Sequence, residues 1–580
     1  MKTSTSLVAL AVAAVAGSAA LSVPAVCSAA PVAVAVAPIR IAGPKEGAKV
    51  RAKLLQESLI VALLQDPRLV VLDRLDVGIS LREAGHKGAV NAKTAATAGE
   101  DLMVDYVVVG TLSSGAGGMS LALRAVPSGN PDPSAAVAVE VRPKSRADSQ
   151  ILGLSAQAAV ALLKKFPGSL GGADEKILAR VRRYARPTKS YSAYALYVRG
   201  RESYRLCHGK GFKDAIPLFK KAIVLDPKFA LAHAALGENY GALAFRRFGL
   251  SMKHKHFAGQ SRVYAQSALD LAPELAEPHR AMAVARFMAF IIDMKNNKMD
   301  SDPAPAQAEA QKALDLNPND FQSQFVRASF EENPTASPYF KKSLQLNPSY
   351  VCALTDMSGM LINEKRHDEA IPYLQRVLRV NPWDSTTLLN LGMAHLARKE
   401  NKLAVQAFKK SIRSNPTLAL AYNNLAQAYD ELGQTDLAVK TLERALEVNP
   451  RLPRAHYSLA QQYAKQKSWP QAVASFSRAA ELDPDFGVAF YFLGLAHKKN
   501  GNVIESVKAL QEAARLMPKD AEVHYDLGKN LFSAKRYAEA VKALNKCTNL
   551  SRGDMEMFKR VGAKAEVLRE DVEYVMSHPE

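Results

Sequence analysis

Cysteine is scarce in this chain: Cys27, Cys207, Cys352 and Cys547 are the four among 580 residues, and no two are spaced C-x-x-C. Neither a disulfide framework nor a zinc module is suggested, so packing is expected to hold the fold. Catalytic signatures are missing too, with no H-E-x-x-H, no G-x-S-x-G and no phosphate-loop consensus. Beyond residue 30 no stretch approaches the roughly 18 uninterrupted apolar residues of a membrane span. What is present is 48 % apolar and 23 % charged, the composition of a folded chain, which excludes disorder over most of its length. More than one structural unit is expected, because single cores stop growing at roughly 250 to 300 residues. A net charge of +20 predicts attraction to anionic surfaces without naming one.

Residues 1–30 contain Lys2, an alanine, valine and leucine run from Leu7 to Ala16, and Cys27-Ser28-Ala29, which resembles an A-x-A cleavage site. This is the pattern of a secretory signal peptide. A retained anchor is the competing reading, opposed by Gly17, Ser18 and Pro24; lipidation of Cys27 is another, opposed by the preceding Pro24-Ala25-Val26.

Residues 31–166 alternate β-rich runs with helical periodicity, the signature of a small α/β domain. Strands are predicted over 32–39, 69–72, 106–110, 119–126 and 135–141, and helices over 50–64, 92–101 and 149–166. The glycines at 110, 115, 117 and 118 lack phosphate-loop spacing and read as a hairpin turn. Val104-Asp105-Tyr106-Val107-Val108-Val109-Gly110-Thr111, followed by a turn and a strand, resembles the amino-terminal domain of the TolB family. That resemblance implies a non-catalytic adaptor of the cell envelope. Residues 167–191 read as a basic linker with Pro187, Arg180, Arg182, Arg183, Arg186 and Lys189; it is either a helix with a solvated face or a contact for an anionic surface.

Prolines stand at 348, 382, 416, 450, 484 and 518, five successive intervals of 34 residues. Twelve residues before each lie Ala336, Ala370, Ala404, Ala438, Ala472 and Ser506, and eight before lie Phe340, Leu374, Phe408, Leu442, Phe476 and Leu510. Earlier in each interval come Met357, Leu391, Leu425, Leu459, Leu493 and Leu527, each followed by a small residue. Two antiparallel helices cross closely only where small residues permit, and proline stops the second. The pattern resembles the tetratricopeptide repeat family. It implies about ten repeats over 192–553, regular from about 317, and a capping helix with Phe558, Val561, Val567 and Leu568 in a tail over 554–580. Upstream repeats carry insertions, among them a loop from Cys207 to Gly211. The fold class is therefore mainly α: a right-handed tetratricopeptide α-solenoid preceded by the small TolB-like α/β domain. Similar regions follow TolB-like domains in bacterial cyclase, kinase and regulator proteins, but here a signal peptide stands where their catalytic or DNA-binding part would be.

The first helix of each repeat lines the inner wall of such a solenoid, with positions two, five, nine and twelve on one face. Those positions supply Asn423, Gln427, Arg454, Tyr457, Gln461, Tyr491, Lys498, Tyr525 and Lys529. Three tyrosines one repeat apart either line a groove or pack between repeats. As a groove, the set suits an extended peptide with acidic side chains or a free carboxylate. His254-Lys255-His256 is the nearest approach to a metal cluster, but its histidines point to different sides of a helix and a solvated loop is expected. Cys352 and Cys547 read as buried hydrophobes within repeat helices. The expectation is an exported scaffold, without catalytic residues, cofactor or metal, that binds protein or peptide partners in the periplasm or envelope. Capture of an anionic envelope glycan or lipid is the alternative, and no nucleic acid is expected.

Overall fold

The computed structural model describes residues 32–42, 48–64, 66, 68–71, 77, 81, 90, 92–102, 104–115, 118–130, 132, 135–142, 151–166, 175–184, 187–246, 253–296, 302–331, 335–552 and 554–578. The leader segment 1–30 lies outside them, as do the side chains of Arg180, Arg183 and Arg186. The chain divides into two compact units after Pro382.

The first unit opens with an α/β layer. Its strands are β1 (Val32–Val36), β2 (Arg40–Ala42), β3 (Leu69–Val71), β4 (Tyr106–Gly115), β5 (Gly118–Pro127) and β6 (Val137–Val141). The sheet runs β3-β1-β4-β5-β6, with β2 also on β4. β1 lies parallel to β3 and β4, whereas β4, β5 and β6 are antiparallel. The unbroken apolar run of valine and alanine in β1 and the valines at the centre of β4 follow from this topology, since helices cover both faces. One face holds Leu55, Leu59, Leu63, Leu162 and Leu163 from α1 (Ala48–Leu63) and α3 (Ile151–Lys165), while α2 (Ala92–Leu102) covers the other. β4 and β5 pair out to Gly115 opposite Gly118, so the hairpin is longer than the sequence suggests. α4 (Glu175–Tyr184) buries Leu178 and Val181 in the same core, so much of the expected linker is part of the α/β layer.

Five helical hairpins complete this unit. They are α5 (Tyr191–Arg205) with α6 (Gly209–Leu225), α7 (Ala230–Arg246) with α8 (Lys253–Leu271), α9 (Ala276–Lys295) with α10 (Ala304–Leu316), α11 (Phe321–Ala328) with α12 (Pro338–Leu346), and α13 (Val351–Asn363) with α14 (His367–Val380). His254 is therefore buried within a helix and His256 exposed on it, where a solvated loop was expected. Ala336 is exposed because α12 starts two residues after it, in the shortened repeat.

Cys207 and Cys352 form a disulfide, which corrects the expectation from cysteine spacing. The bond joins the turn after α5 to the first turn of α13. Insertions in the intervening hairpins hide that proximity from any periodic reading of the sequence.

The second unit contains α15 (Ser385–Ala397) with α16 (Asn401–Ser414), α17 (Ala419–Glu431) with α18 (Thr435–Val448), α19 (Pro453–Lys465) with α20 (Trp469–Leu482), α21 (Gly487–Lys499) with α22 (Val503–Leu516), α23 (Ala521–Ser533) with α24 (Tyr537–Ser551), and α25 (Ala563–Ser577). Each second helix of the regular repeats ends two residues before its proline. Ala404, Ala438, Ala472 and Ser506 are fully buried, as are Phe408, Leu442, Phe476 and Leu510 one turn later on the same helix face. The small residues permit this closeness: a Cβ on Gly392 would stand 2.4 Å from the ring of Phe408. A π-turn at Phe558–Gly562 leads into α25, which buries Ala565 and Val572 against the last hairpin and leaves Val567 exposed.

Candidate functional site

In the first unit the leading helices of successive hairpins converge on buried charge instead of an open wall. Arg280 of α9 donates from Nε to Glu238 Oε1 of α7 at 2.8 Å and also pairs with Asp320, the amino-terminal cap of α11. Arg201 of α5 donates to Gln322 Oε1 at 2.8 Å and lies 3.6 Å from Glu238. Burial alone would favour neutral Arg280, but Asp320 and Glu238 outweigh it and raise its pKa well above the usual value. Nearby, Arg205 pairs with Glu57 of α1 at 2.9 Å, tying the α/β layer to the first hairpin.

The face anticipated from the repeats lies in the second unit, and a simple register governs it. A side chain on one leading helix meets the residue 35 positions later on the next. Lys465 Nζ is 2.5 Å from Asp430, the Tyr491 hydroxyl donates to Asp526 at 2.7 Å, and Lys498 Nζ donates to Ser533 Oγ at 3.3 Å. The rings of Tyr457 and Phe492 obey the same spacing, at 5.8 Å. One repeat advances the chain by 34 residues, and the extra residue is the offset between neighbouring helices.

This register decides what each anticipated residue offers. Tyr457 is half-buried among Phe476, Phe486 and Phe492, and its hydroxyl accepts from Gln461 Nε2 at 2.9 Å. Burial followed by the Asp526 carboxylate pushes the Tyr491 hydroxyl pKa up, so it remains a donor. Asn423 is buried, with its Oδ1 lacking a partner among the described residues. Tyr525 is half-buried, whereas Gln427, Arg454 and Lys529 are exposed. Lys498 loses basicity first through burial and then through the nearby Lys529 charge. Tyr491, Lys498, Lys529 and Asp526 thus form one polar group, and Tyr457 with Gln461 another. Asp526, Ser533 and Phe492 were missed in the sequence; the 35-residue spacing was the signal that could have found them.

A second recurring device is the residue six positions after the inter-repeat proline. His233, His279, His456 and His524 place Nε2 within 2.7 to 3.2 Å of the carbonyls of Pro227, Pro273, Pro450 and Pro518. Gln324 donates to Pro318 in the same way at 2.8 Å. The Cys547 thiol is buried, and that burial pushes its pKa up to about 11, which disfavours the thiolate near neutrality.

The tetratricopeptide repeat family model matches residues 362–419, 423–485 and 491–548. The chain carries tetratricopeptide repeats, and its helical part has their α-solenoid fold. Among solved structures it resembles a MamA protein at 26 % identity over 30 % of this chain and 94 % of that one, with a TM-score of 0.26. It also resembles YrrB, described as a tetratricopeptide protein with an unusual peptide-binding site, at 21 % identity over 34 % and 97 % of the two chains, TM-score 0.27. A third likeness is a thermophilic tetratricopeptide protein of Thermus thermophilus, at 23 % identity over 31 % and 99 %, TM-score 0.28. No curated protein matches the chain significantly.

Proposed function

We propose that this protein is an exported, non-catalytic scaffold whose second unit captures extended segments of partner proteins on the leading-helix face. The carrying observation is the polar group of Tyr491, Lys498, Asp526 and Lys529, held in register across two repeats with the Lys529 ammonium exposed. Exposed Gln427 and Arg454 extend the face toward the amino-terminal side. Amides pair with an extended backbone and the cations with acidic side chains or a terminal carboxylate. Export is supported by the disulfide, since such bonds persist in oxidising compartments. In this reading the amino-terminal layer is an envelope adaptor of the TolB-like type, supported by its succession of strands and helices.

The test is partner capture by a variant carrying Gln427→Ala, Arg454→Ala and Lys529→Ala, all at exposed positions. Loss of captured partners with an unchanged melting curve is expected. Full capture by the variant would refute the assignment.

A further inference from the structure

Helix α6 turns Phe212, Ala215, Phe219 and Ala222 into the core of the first unit. Its opposite face is exposed and carries an uncommon combination of groups. Val224 is 78 % exposed and Leu225 50 % exposed, side by side at the carboxy-terminal end. Exposed Lys221 and Lys228 bracket them, and exposed Lys213 and Lys210 continue the stripe toward the amino-terminal end. Asp214 is the one acidic side chain on that face. Among the described residues, no ion pair engages these four lysines. Lys220 behaves differently: its ammonium sits over the Tyr240 ring at 5.9 Å, and Tyr240 stacks on Tyr264 of α8. Beside Tyr264 the exposed surface continues, with Val263 58 % exposed next to an exposed Arg262.

Isolated exposed aliphatic residues are ordinary. Two adjacent ones framed by free ammonium groups are a different arrangement. Protein–protein interfaces are depleted in lysine, and a soluble polyanion gains nothing from Val224 or Leu225. A bilayer uses both kinds of group. Long lysine stems lie along the surface with their heads at lipid phosphates, while short aliphatic side chains enter the boundary between headgroups and acyl chains.

We propose that the outer face of α6, continued by α8, docks the protein on a bilayer containing anionic lipid. This contact is separate from the leading-helix face of the second unit and does not depend on it. The ligand chemistry is a phosphate headgroup presented beside an apolar layer.

Flotation of the full chain with vesicles tests this. Vesicles of phosphatidylcholine alone are compared with vesicles that also contain phosphatidylglycerol; any contribution of residues 1–30 through apolar insertion appears in both. The wild type is expected to float with the anionic vesicles and to be released by salt. Replacing Lys213, Lys221 and Lys228 by glutamine should weaken binding roughly fivefold for each lysine. Val224→Ser with Leu225→Ser should weaken it on the order of tenfold or more. All five positions are exposed, so a thermal melt should show each variant folded. Equal binding to both vesicle types overturns the proposal, as does binding unaffected by the lysine changes. Binding lost with the lysines but indifferent to the Val224 and Leu225 changes also overturns it, and marks a site for a soluble polyanion.

Discussion

Cys207 and Cys352 are bonded across 145 residues of sequence, with their Cα atoms 5.3 Å apart and both side chains buried. The bond encloses helices α6 to α12. Closing so long a loop restricts the unfolded chain far more than the folded one, and the stabilisation is about 2 to 5 kcal/mol. Reduction, or Cys207→Ser with Cys352→Ser, should lower the melting temperature of the first unit while leaving the second unchanged. Peptide mapping of protein recovered from its own cells should find the two cysteines linked. Finding both as free thiols would contradict the export reading as well.

The turn after each leading helix predicts a gain in stability. Lys365, Lys399, Lys467 and Lys535 have φ between 58° and 61°, in the left-handed region, where Gly433 and Gly501 occupy the equivalent turns. The following amide closes each turn, as Ser468 N does on Tyr463 O at 2.8 Å. Glycine carries no steric cost in this conformation. Lys399→Gly and Lys467→Gly should each raise stability by up to about 1 kcal/mol, read as a higher denaturant midpoint. Gly433→Lys should lower it by a similar amount.

Acid should destabilise the fold at two of the buried histidines that bond to a proline carbonyl, because their rings would have to take up charge away from water. Burial lowers the pKa of His233 and His524 below the ordinary histidine value, outweighing the hydrogen bond to the proline carbonyl. The unfolded chain therefore binds protons more readily than the folded one below about pH 6.5. The contribution of these residues is complete above that pH and is lost as pH falls through the lower folded values. His524→Gln, which copies the Gln324 geometry, should keep the bond and reduce the acid sensitivity of the second unit. A melting temperature of that unit that is flat from pH 7.5 to pH 5 in the wild type would contradict this account.

Arg280 predicts a loss in the first unit. Arg280→Ala would leave buried Glu238 with only the more distant Arg201 and half-buried Asp320 without its cation, at a cost of about 3 to 5 kcal/mol. Urea unfolding should show the first unit melting early. An unchanged midpoint would mean that water already screens the network.

Much of the fold was legible because periodic packing leaves a periodic record. The beat from Pro348 to Pro518 marks the ends of six second helices, and Phe408 and Phe476 occupy the core positions that the pattern assigns them. The valine run at Val107 to Val109 reads as a sheet interior for a similar reason: buried parallel strands are apolar on both faces. Contacts that depend on irregular geometry were not legible. The Cys207–Cys352 bond spans hairpins of unequal length, and the convergence of Arg201, Glu238 and Arg280 does too. On the candidate face, Tyr457 and Tyr491 lie on the leading helices α19 and α21, one repeat apart as their spacing implies. It could not show that Phe492 would cover one ring or that Asp526 would hold the other hydroxyl.

The central claim is that partners are held on the leading-helix face of the second unit. A photo-crosslinking side chain placed at position 529 or 427, in protein expressed in its own cells, tests it most directly. The same probe at position 437, on the outward side of a second helix, serves as the comparison, since Leu437 is 45 % exposed. Covalent partner adducts are expected from 529 and 427 and not from 437. Adducts from 437 alone, or none from 529 and 427 while partners still co-purify, would contradict the account.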